Sequence, residues 1–161
     1  MKVKITALVL GLVTMISLTS CGSDPELTKF KTEMDNFCTS ISEIDTSINN
    51  LDAESDNAIN ELLGYLDDLD EEFQKFAQLD FPEEFDYLES LADESSEYMS
   101  EAVSSYHEAY SGNAYNEYTA SYAKENYSRA YKRVQIIITF LHGDEPTDVD
   151  LTMATEETTA E

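Results

Sequence analysis

The residue types best suited to catalysis in this chain are two histidines, His107 and His142, among 34 acidic residues. A ferritin-like di-metal site needs Glu-x-x-His on each of two helices, so that the ligands face the core together. Ser104 and Thr139 stand three residues before the two histidines, so neither histidine fits. The acidic run at residues 67–72 lacks the central Gly and final Glu of a calcium loop. We therefore predict no metal site and no cofactor.

Nucleophilic catalysis would need a serine or cysteine within reach of a histidine. Ser104 and Ser105 precede His107 closely, but the sequence marks neither an oxyanion hole nor an acid to orient the ring. Cys38 follows an apolar stripe and has Asp35 nearby, and both burial and a neighbouring negative charge raise a thiol pKa. We expect a buried, unreactive thiol and a protein that is not an enzyme.

Tyrosine has the most uneven distribution of any residue type here. Seven of the ten tyrosines lie between positions 106 and 131. Tyrosine combines rigid contact area with a polar hydroxyl and is common in binding surfaces, so a cluster is a candidate partner-binding surface. The candidates flank a turn predicted near Gly112 and are Tyr106, Tyr110, Tyr115, Tyr118 and Tyr122. The alternative is that Tyr106 and Tyr127 are core residues and the others bury their rings at its rim.

Charge narrows the range of partners. The formal net charge is −25 at pH 7. Such a field repels nucleic acid and other polyanions, so no nucleic-acid partner is expected; it attracts cations and basic proteins. Four basic residues gather late in the chain, at Lys124, Arg129, Lys132 and Arg133. They could touch anionic lipid headgroups, but pairing with acidic neighbouring helices is the favoured interpretation.

Apolar periodicity predicts the elements that carry these residues. Apolar residues spaced alternately by three and four predict a first helix that begins at Pro25; they are Leu27, Phe30, Met34, Phe37, Ile41, Ile44, Ile48 and Leu51. A second helical segment is predicted over 53–79, a third from Phe85 to Ser111, and a fourth over 120–141, closed by Gly143. Asp80 and Glu83 have capping-box spacing before the third.

The fold class predicted from these segments is all-α, an antiparallel up-down-up-down four-helix bundle. A group of poor helix formers indicates a turn between the first two helices; they are Asn49, Asn50, Asp52, Ser55, Asp56 and Asn57. No Gly or Pro enforces that turn, so the alternative is a three-helix coiled-coil arrangement built around one long N-terminal helix. Strand patterns are absent from the sequence.

The N-terminus carries a segment of a different kind. Lys2 and Lys4 precede a run at residues 5–18 that is apolar except for four small or hydroxyl-bearing residues. A basic start followed by an apolar run of this length indicates a secretory signal peptide, because a spanning helix needs about 20 apolar residues. The alternative is an uncleaved anchor with an incidental cysteine.

The next residues, Leu18-Thr19-Ser20-Cys21, resemble the lipobox of bacterial lipoproteins. The resemblance implies cleavage between Ser20 and Cys21 and a diacylglyceryl group on the Cys21 sulfur. The expected organisation is a signal peptide over 1–20, a lipidated cysteine and short linker over 21–24, a helical bundle over 25–142, and an acidic, Thr-rich disordered tail over 143–161.

Together these patterns lead to the expectation of a lipoprotein held at the cell membrane through its diacylglyceryl anchor and facing the extracytoplasmic side. The bundle is expected to be a non-catalytic binding module for a protein or cationic partner. Two alternatives stay open: a structural coiled-coil spacer or oligomerising surface protein, and, less favoured, a metal-dependent enzyme.

Overall fold

The computed structural model describes residues 25–112 and 114–143. Its helices are α1 (Pro25–Asn49), α2 (Ala58–Phe76), α3 (Glu89–Ser111) and α4 (Glu117–Leu141), with a 3-10 helix at Glu83–Leu88 before α3. The described residues contain no strand, and the four helices pack as an antiparallel bundle, so the predicted fold class is confirmed. The signal peptide, the lipobox with its linker, and residues 144–161 of the predicted tail lie outside the described residues.

A non-helical turn separates α1 from α2, so the alternative of one long N-terminal helix is wrong. Short polar side chains there bind the backbone in place of the helical pattern. The Asp52 carboxylate accepts a hydrogen bond from the Glu54 amide at 3.0 Å, and the Ser55 hydroxyl accepts one from the Asn57 amide at 3.2 Å. Such local bonds compete with helix formation, which explains a break without Gly or Pro.

The break between α2 and the 3-10 helix begins and ends at different residues from those predicted. Helix α2 ends at Phe76, and Pro82 rather than Asp80 occupies the position before the 3-10 helix. Pro82 has no side-chain group to cap with, and no capping hydrogen bond forms there. The predicted capping box of Asp80 and Glu83 is therefore wrong, because the helical turn begins two residues later than the box requires.

The core is formed by the predicted stripes. On α1, Phe30, Met34, Phe37, Ile41 and Ile48 are buried. The Phe37 ring stacks on that of Phe76 at 4.3 Å between centroids and meets Phe73 edge-on at 5.3 Å. Because the stripe of α1 is buried against its own chain, it is not available as the seam of an intermolecular coiled coil.

Helices α3 and α4 share the most extensive contact of any helix pair in the described part of the chain. Buried alanines occur along both helices: Ala92, Ala102 and Ala109 on α3, and Ala120, Ala123 and Ala130 on α4. Interaxial distance follows the size of the side chains at a contact, so alanines let the two backbones approach.

Helix α4 begins and ends with well-defined caps. The Asn116 side chain accepts a hydrogen bond from the Thr119 amide at 3.2 Å, as an N-cap residue does. Gly143 follows the last turn with a φ of 79°, which confirms the predicted glycine C-cap. No helix among the described residues has both the length and the apolarity needed to cross a bilayer.

Candidate functional site

The tyrosine cluster lies at one end of the bundle, which we call the distal end. The α1–α2 turn and the α3–α4 turn both lie at the distal end, whereas α1 begins at the opposite end, which we call the proximal end. The α1 residue Asp45, near the distal end, is bonded to Tyr127 of α4, which shows that the end of α1 lies beside the first half of α4. All five candidate tyrosines lie on the last turns of α3, on the turn itself, or on the first turns of α4.

The structure divides the five tyrosines into two groups by burial. Tyr106 and Tyr110 are half-buried and pack against the core. Tyr115, Tyr118 and Tyr122 are exposed, with 45%, 85% and 43% of their surfaces accessible. We call these three residues the tyrosine tip. They are three of the four large hydrophobic side chains that are exposed in the described part of the chain; the fourth is Tyr87.

Tyr106, Tyr110 and Tyr115 come together over the distal end of the core. The rings of Tyr110 and Tyr115 are 5.2 Å apart and tilted by 42°. Burial, followed by the proximity of Tyr110 and Tyr115, raises the pKa of Tyr106 to about 12. Burial and the neighbouring Tyr115 also raise the pKa of Tyr110. These hydroxyls therefore stay protonated at neutral pH and can serve as hydrogen-bond donors.

Tyr118 and Tyr122 occupy the outer face of α4. Their spacing of four residues puts them one turn apart on the same side of the helix, where side chains are neighbours. The Asn116 cap sets the start of α4 directly before them. Helix α4 therefore carries two exposed tyrosine side chains one turn apart on the same side.

The electrostatic surroundings of the tyrosine tip are acidic. Glu108 in the last turn of α3 and Glu117 in the first turn of α4 are exposed. The α1–α2 turn, at the same end, adds exposed Asp52, Glu54 and Asp56. No Lys or Arg occurs in the sequence from residue 76 to residue 123.

The nearest basic residues do not neutralise this end. Lys124 follows Tyr122 by two residues, about 200° around the helix, and so points away from the face that carries the tip. Arg129 lies on that face, but about 10 Å further along the helix. Its guanidinium is paired with Glu125, with Nη2 and Oε1 2.8 Å apart.

Pairing of the predicted basic cluster with a neighbouring helix is confirmed for Arg133, whose Nε lies 3.1 Å from a carboxylate oxygen of Glu94 on α3. Arg129 pairs instead with Glu125 of its own helix. The Arg133 guanidinium also lies over the ring of Tyr98, 4.4 Å from its centroid. Arg133 is only 2% exposed, so a buried cation is held between an aromatic face and a carboxylate.

Sequence reasoning missed a buried polar cluster between α1 and α4. The Asp45 carboxylate accepts hydrogen bonds from the hydroxyls of Tyr127, at 2.7 Å, and Tyr131, at 2.9 Å. Burial raises the pKa of Asp45, and the two hydrogen bonds offset part of that rise. A signal was present in the sequence: Asp45 is four residues after Ile41 and three before Ile48, on the buried face of α1.

The structure shows the surroundings of His107 and Cys38, the two residues considered above for nucleophilic catalysis. His107 Nε2 lies 2.7 Å from an Asp67 carboxylate oxygen, a contact that the sequence did not reveal, and both side chains are exposed. Burial, and secondarily the charge of Asp35, raises the pKa of the Cys38 thiol to about 11. Cys38 is half-buried rather than fully buried as expected, and the direction of its pKa shift agrees with an unreactive thiol. Within the described ranges, no three His, Cys, Asp or Glu side chains are grouped closely enough to hold a metal ion.

Comparison with known proteins assigns the chain to no family: no family model matches it, and neither curated proteins nor solved structures give a significant match.

Proposed function

We propose that this chain is a lipoprotein anchored at the extracytoplasmic face of the cell membrane, and that its bundle is a non-catalytic binding module. The tyrosine tip is the proposed contact surface for a partner. The observation that carries the proposal is the concentration of exposed aromatic surface at the distal end, where Tyr115, Tyr118 and Tyr122 are 45%, 85% and 43% exposed. Clustered exposed aromatic residues mark interaction surfaces more often than scattered ones do.

The position of the tip supports a tethered binding role. Cys21, the proposed lipid attachment site, precedes the first residue of α1 by only four positions. A helix of 25 residues is about 37 Å long at 1.5 Å per residue. An anchor at the proximal end would therefore hold the tyrosine tip away from the membrane surface, where a partner could reach it.

The anchoring half of the proposal is tested with a single substitution. The full chain and a Cys21→Ser variant would be produced in a bacterium supplied with radiolabelled palmitate. We expect label in the membrane-bound wild type and neither label nor cleavage before residue 21 in Cys21→Ser. Equal labelling of the two proteins would contradict lipidation at Cys21.

The binding half is tested by capture from cell-envelope extract of the source bacterium. The bait is the full chain, compared with a variant that carries Tyr115→Ser, Tyr118→Ser and Tyr122→Ser. Tyr87→Ser is the matched control, because Tyr87 is also exposed but lies outside the tip, against Phe140. We expect a partner that the wild type and the control retain and the triple variant loses. Capture that does not depend on the tip would overturn the tip as the binding site.

A further inference from the structure

The charge and aromatic surface of the distal end together identify the kind of partner. We propose that the tyrosine tip binds a cationic segment of a protein, with a lysine or arginine side chain held over the rings of Tyr118 and Tyr122. The inference rests on the proposed binding function and adds the chemistry of the partner. Glu108 and Glu117 supply the accompanying carboxylates.

The chain already holds one of its own cations in this way. The Arg133 guanidinium lies 4.4 Å from the Tyr98 ring centroid, and its Nε is 3.1 Å from a Glu94 carboxylate oxygen. Arg129 approaches the same ring at 5.6 Å. A tyrosine face beside a carboxylate is therefore a cation site that this sequence forms between α3 and α4.

The tyrosine tip repeats these groups at the distal end of the same two helices. Tyr118 and Tyr122 are exposed one turn apart on the same side of α4, and the last turn of α3 and the first turn of α4 each carry an exposed carboxylate. The two sites differ in the source of the cation. At the Tyr98 site the chain itself supplies Arg133, whereas residues 76–123, which include the tyrosine tip, contain no Lys or Arg. A partner that brings its own cation would complete the arrangement.

The overall field favours the same class of partner. Over residues 32–123 the only Lys or Arg is Lys75, which lies near the C-terminal end of α2, at the proximal end. The distal end is therefore negative over both of its turns. A negative field draws in basic segments and repels anionic polymers, and it offers a neutral glycan no electrostatic attraction.

The probe for this inference is nona-arginine peptide, titrated by calorimetry into the full chain held in neutral detergent micelles. The key variant is Tyr118→Ser with Tyr122→Ser, which leaves the net charge unchanged. We expect affinity to fall about tenfold, as the loss of two exposed cation–π contacts requires. Tyr118→Phe with Tyr122→Phe keeps the ring faces and should bind within about twofold of wild type, as should the Tyr87→Ser control.

Two outcomes would overturn the inference. Equal affinity in the serine variant would show that the peptide responds only to the diffuse acidic field. Absence of measurable binding by wild type would exclude a cationic partner at this surface. Circular dichroism of each variant separates loss of binding from loss of fold.

A competition experiment separates this inference from the function on which it rests. The tip-dependent capture from envelope extract would be repeated with nona-arginine added, and again with a neutral oligosaccharide. Displacement by the peptide supports a cationic partner. Displacement by the oligosaccharide alone would overturn that chemistry while the binding module stands. Absence of any capture in the first place would overturn the proposed binding function itself, whereas capture that does not depend on the tip would overturn only the tip as its site.

Discussion

The carboxylate of Asp45 accepts a hydrogen bond from the Tyr127 hydroxyl at 2.7 Å, although 82 positions separate the two residues in the chain. This contact, with its counterpart from Tyr131, joins the first helix to the last across the bundle. The Tyr127 and Tyr131 rings stack at 4.8 Å, which holds both hydroxyls beside one carboxyl group. The cluster fixes the register of α1 against α4 through directional bonds that apolar packing alone does not provide.

Removing the shared acceptor should destabilise the bundle. We expect Asp45→Ala to lower the free energy of unfolding by about 2 kcal/mol, because two buried hydroxyls lose their acceptor. Asp45→Asn should cost less than about 1 kcal/mol, since an amide can accept from one hydroxyl and donate to the other. Urea unfolding of both variants measures the difference, with Asp35→Ala on the exposed face of α1 as control. Wild-type stability in Asp45→Ala would show that the hydroxyls find other partners.

The same carboxyl group should give the stability a pH dependence of defined sign. Because burial raises the pKa of Asp45 in the folded state, the folded protein binds the Asp45 proton more tightly than the unfolded chain does. The resulting stabilisation is complete below the unfolded pKa, near 3.9, and is lost as pH rises through the folded value. We therefore expect wild type to lose stability relative to Asp45→Asn as pH increases from about 3. A relative gain would mean that the tyrosine hydrogen bonds outweigh desolvation.

The buried Arg133 should contribute more to stability than the partly exposed Arg129 on the same helix. Arg133→Ala removes the contact with Tyr98, the ion pair with Glu94 and a buried aliphatic stem, so we expect a loss of about 2–3 kcal/mol. Arg129→Ala removes a longer ring contact and a pair with exposed Glu125 and should cost about 1 kcal/mol or less. Chemical denaturation of the two variants compares them directly. Equal losses would contradict the importance assigned to burial.

Two glycines should respond to alanine in opposite directions. Gly64 lies within α2, and an added Cβ would meet no atom within 4 Å, so Gly64→Ala should stabilise the protein by about 1 kcal/mol. Gly143 has a φ of 79°, where an L side chain is strained, so Gly143→Ala should destabilise it by about 1 kcal/mol. Thermal unfolding of the two variants measures both changes, with the melting temperature expected to rise for Gly64→Ala and to fall for Gly143→Ala. A destabilised Gly64→Ala would indicate a packing role for that glycine.

Helix positions could be predicted because their causes are local. The three-and-four spacing on α1 reflects the 3.6-residue turn of the helix, and five of its eight predicted residues are buried. The other three are only partly buried; they are Leu27, Ile44 and Leu51. The cap at Gly143 likewise follows from its own conformational freedom. The break between Asn49 and Ala58 was only indicated, because hydrogen bonds of Asp52 and Ser55 decide it and no obligatory breaker occurs there.

The burial of the clustered tyrosines could not be predicted from local sequence patterns. Their clustering near Gly112 was evident from the sequence, but their burial was not. Tyr106 and Tyr110 pack against the core from α3, while Tyr118 and Tyr122 lie on the outer face of α4. The alternative interpretation of the sequence placed Tyr106 in the core, but it also expected Tyr118 and Tyr122 to bury their rings, which they do not. Their burial depends on which side of each helix its neighbours cover.

By itself the sequence determined the approximate extent of the helical segments, their apolar faces and the acidic, aromatic character of the α3–α4 turn, but it left open whether the first two segments form one helix or two. These properties depend on backbone periodicity and composition, which act over a few residues. Only the tertiary structure decided that Asp45 meets Tyr127 and Tyr131, that Arg133 is buried beside Tyr98, and that three of the five candidate tyrosines are exposed. Those outcomes depend on the register and rotation of packed helices, which side-chain volumes across the whole core determine together.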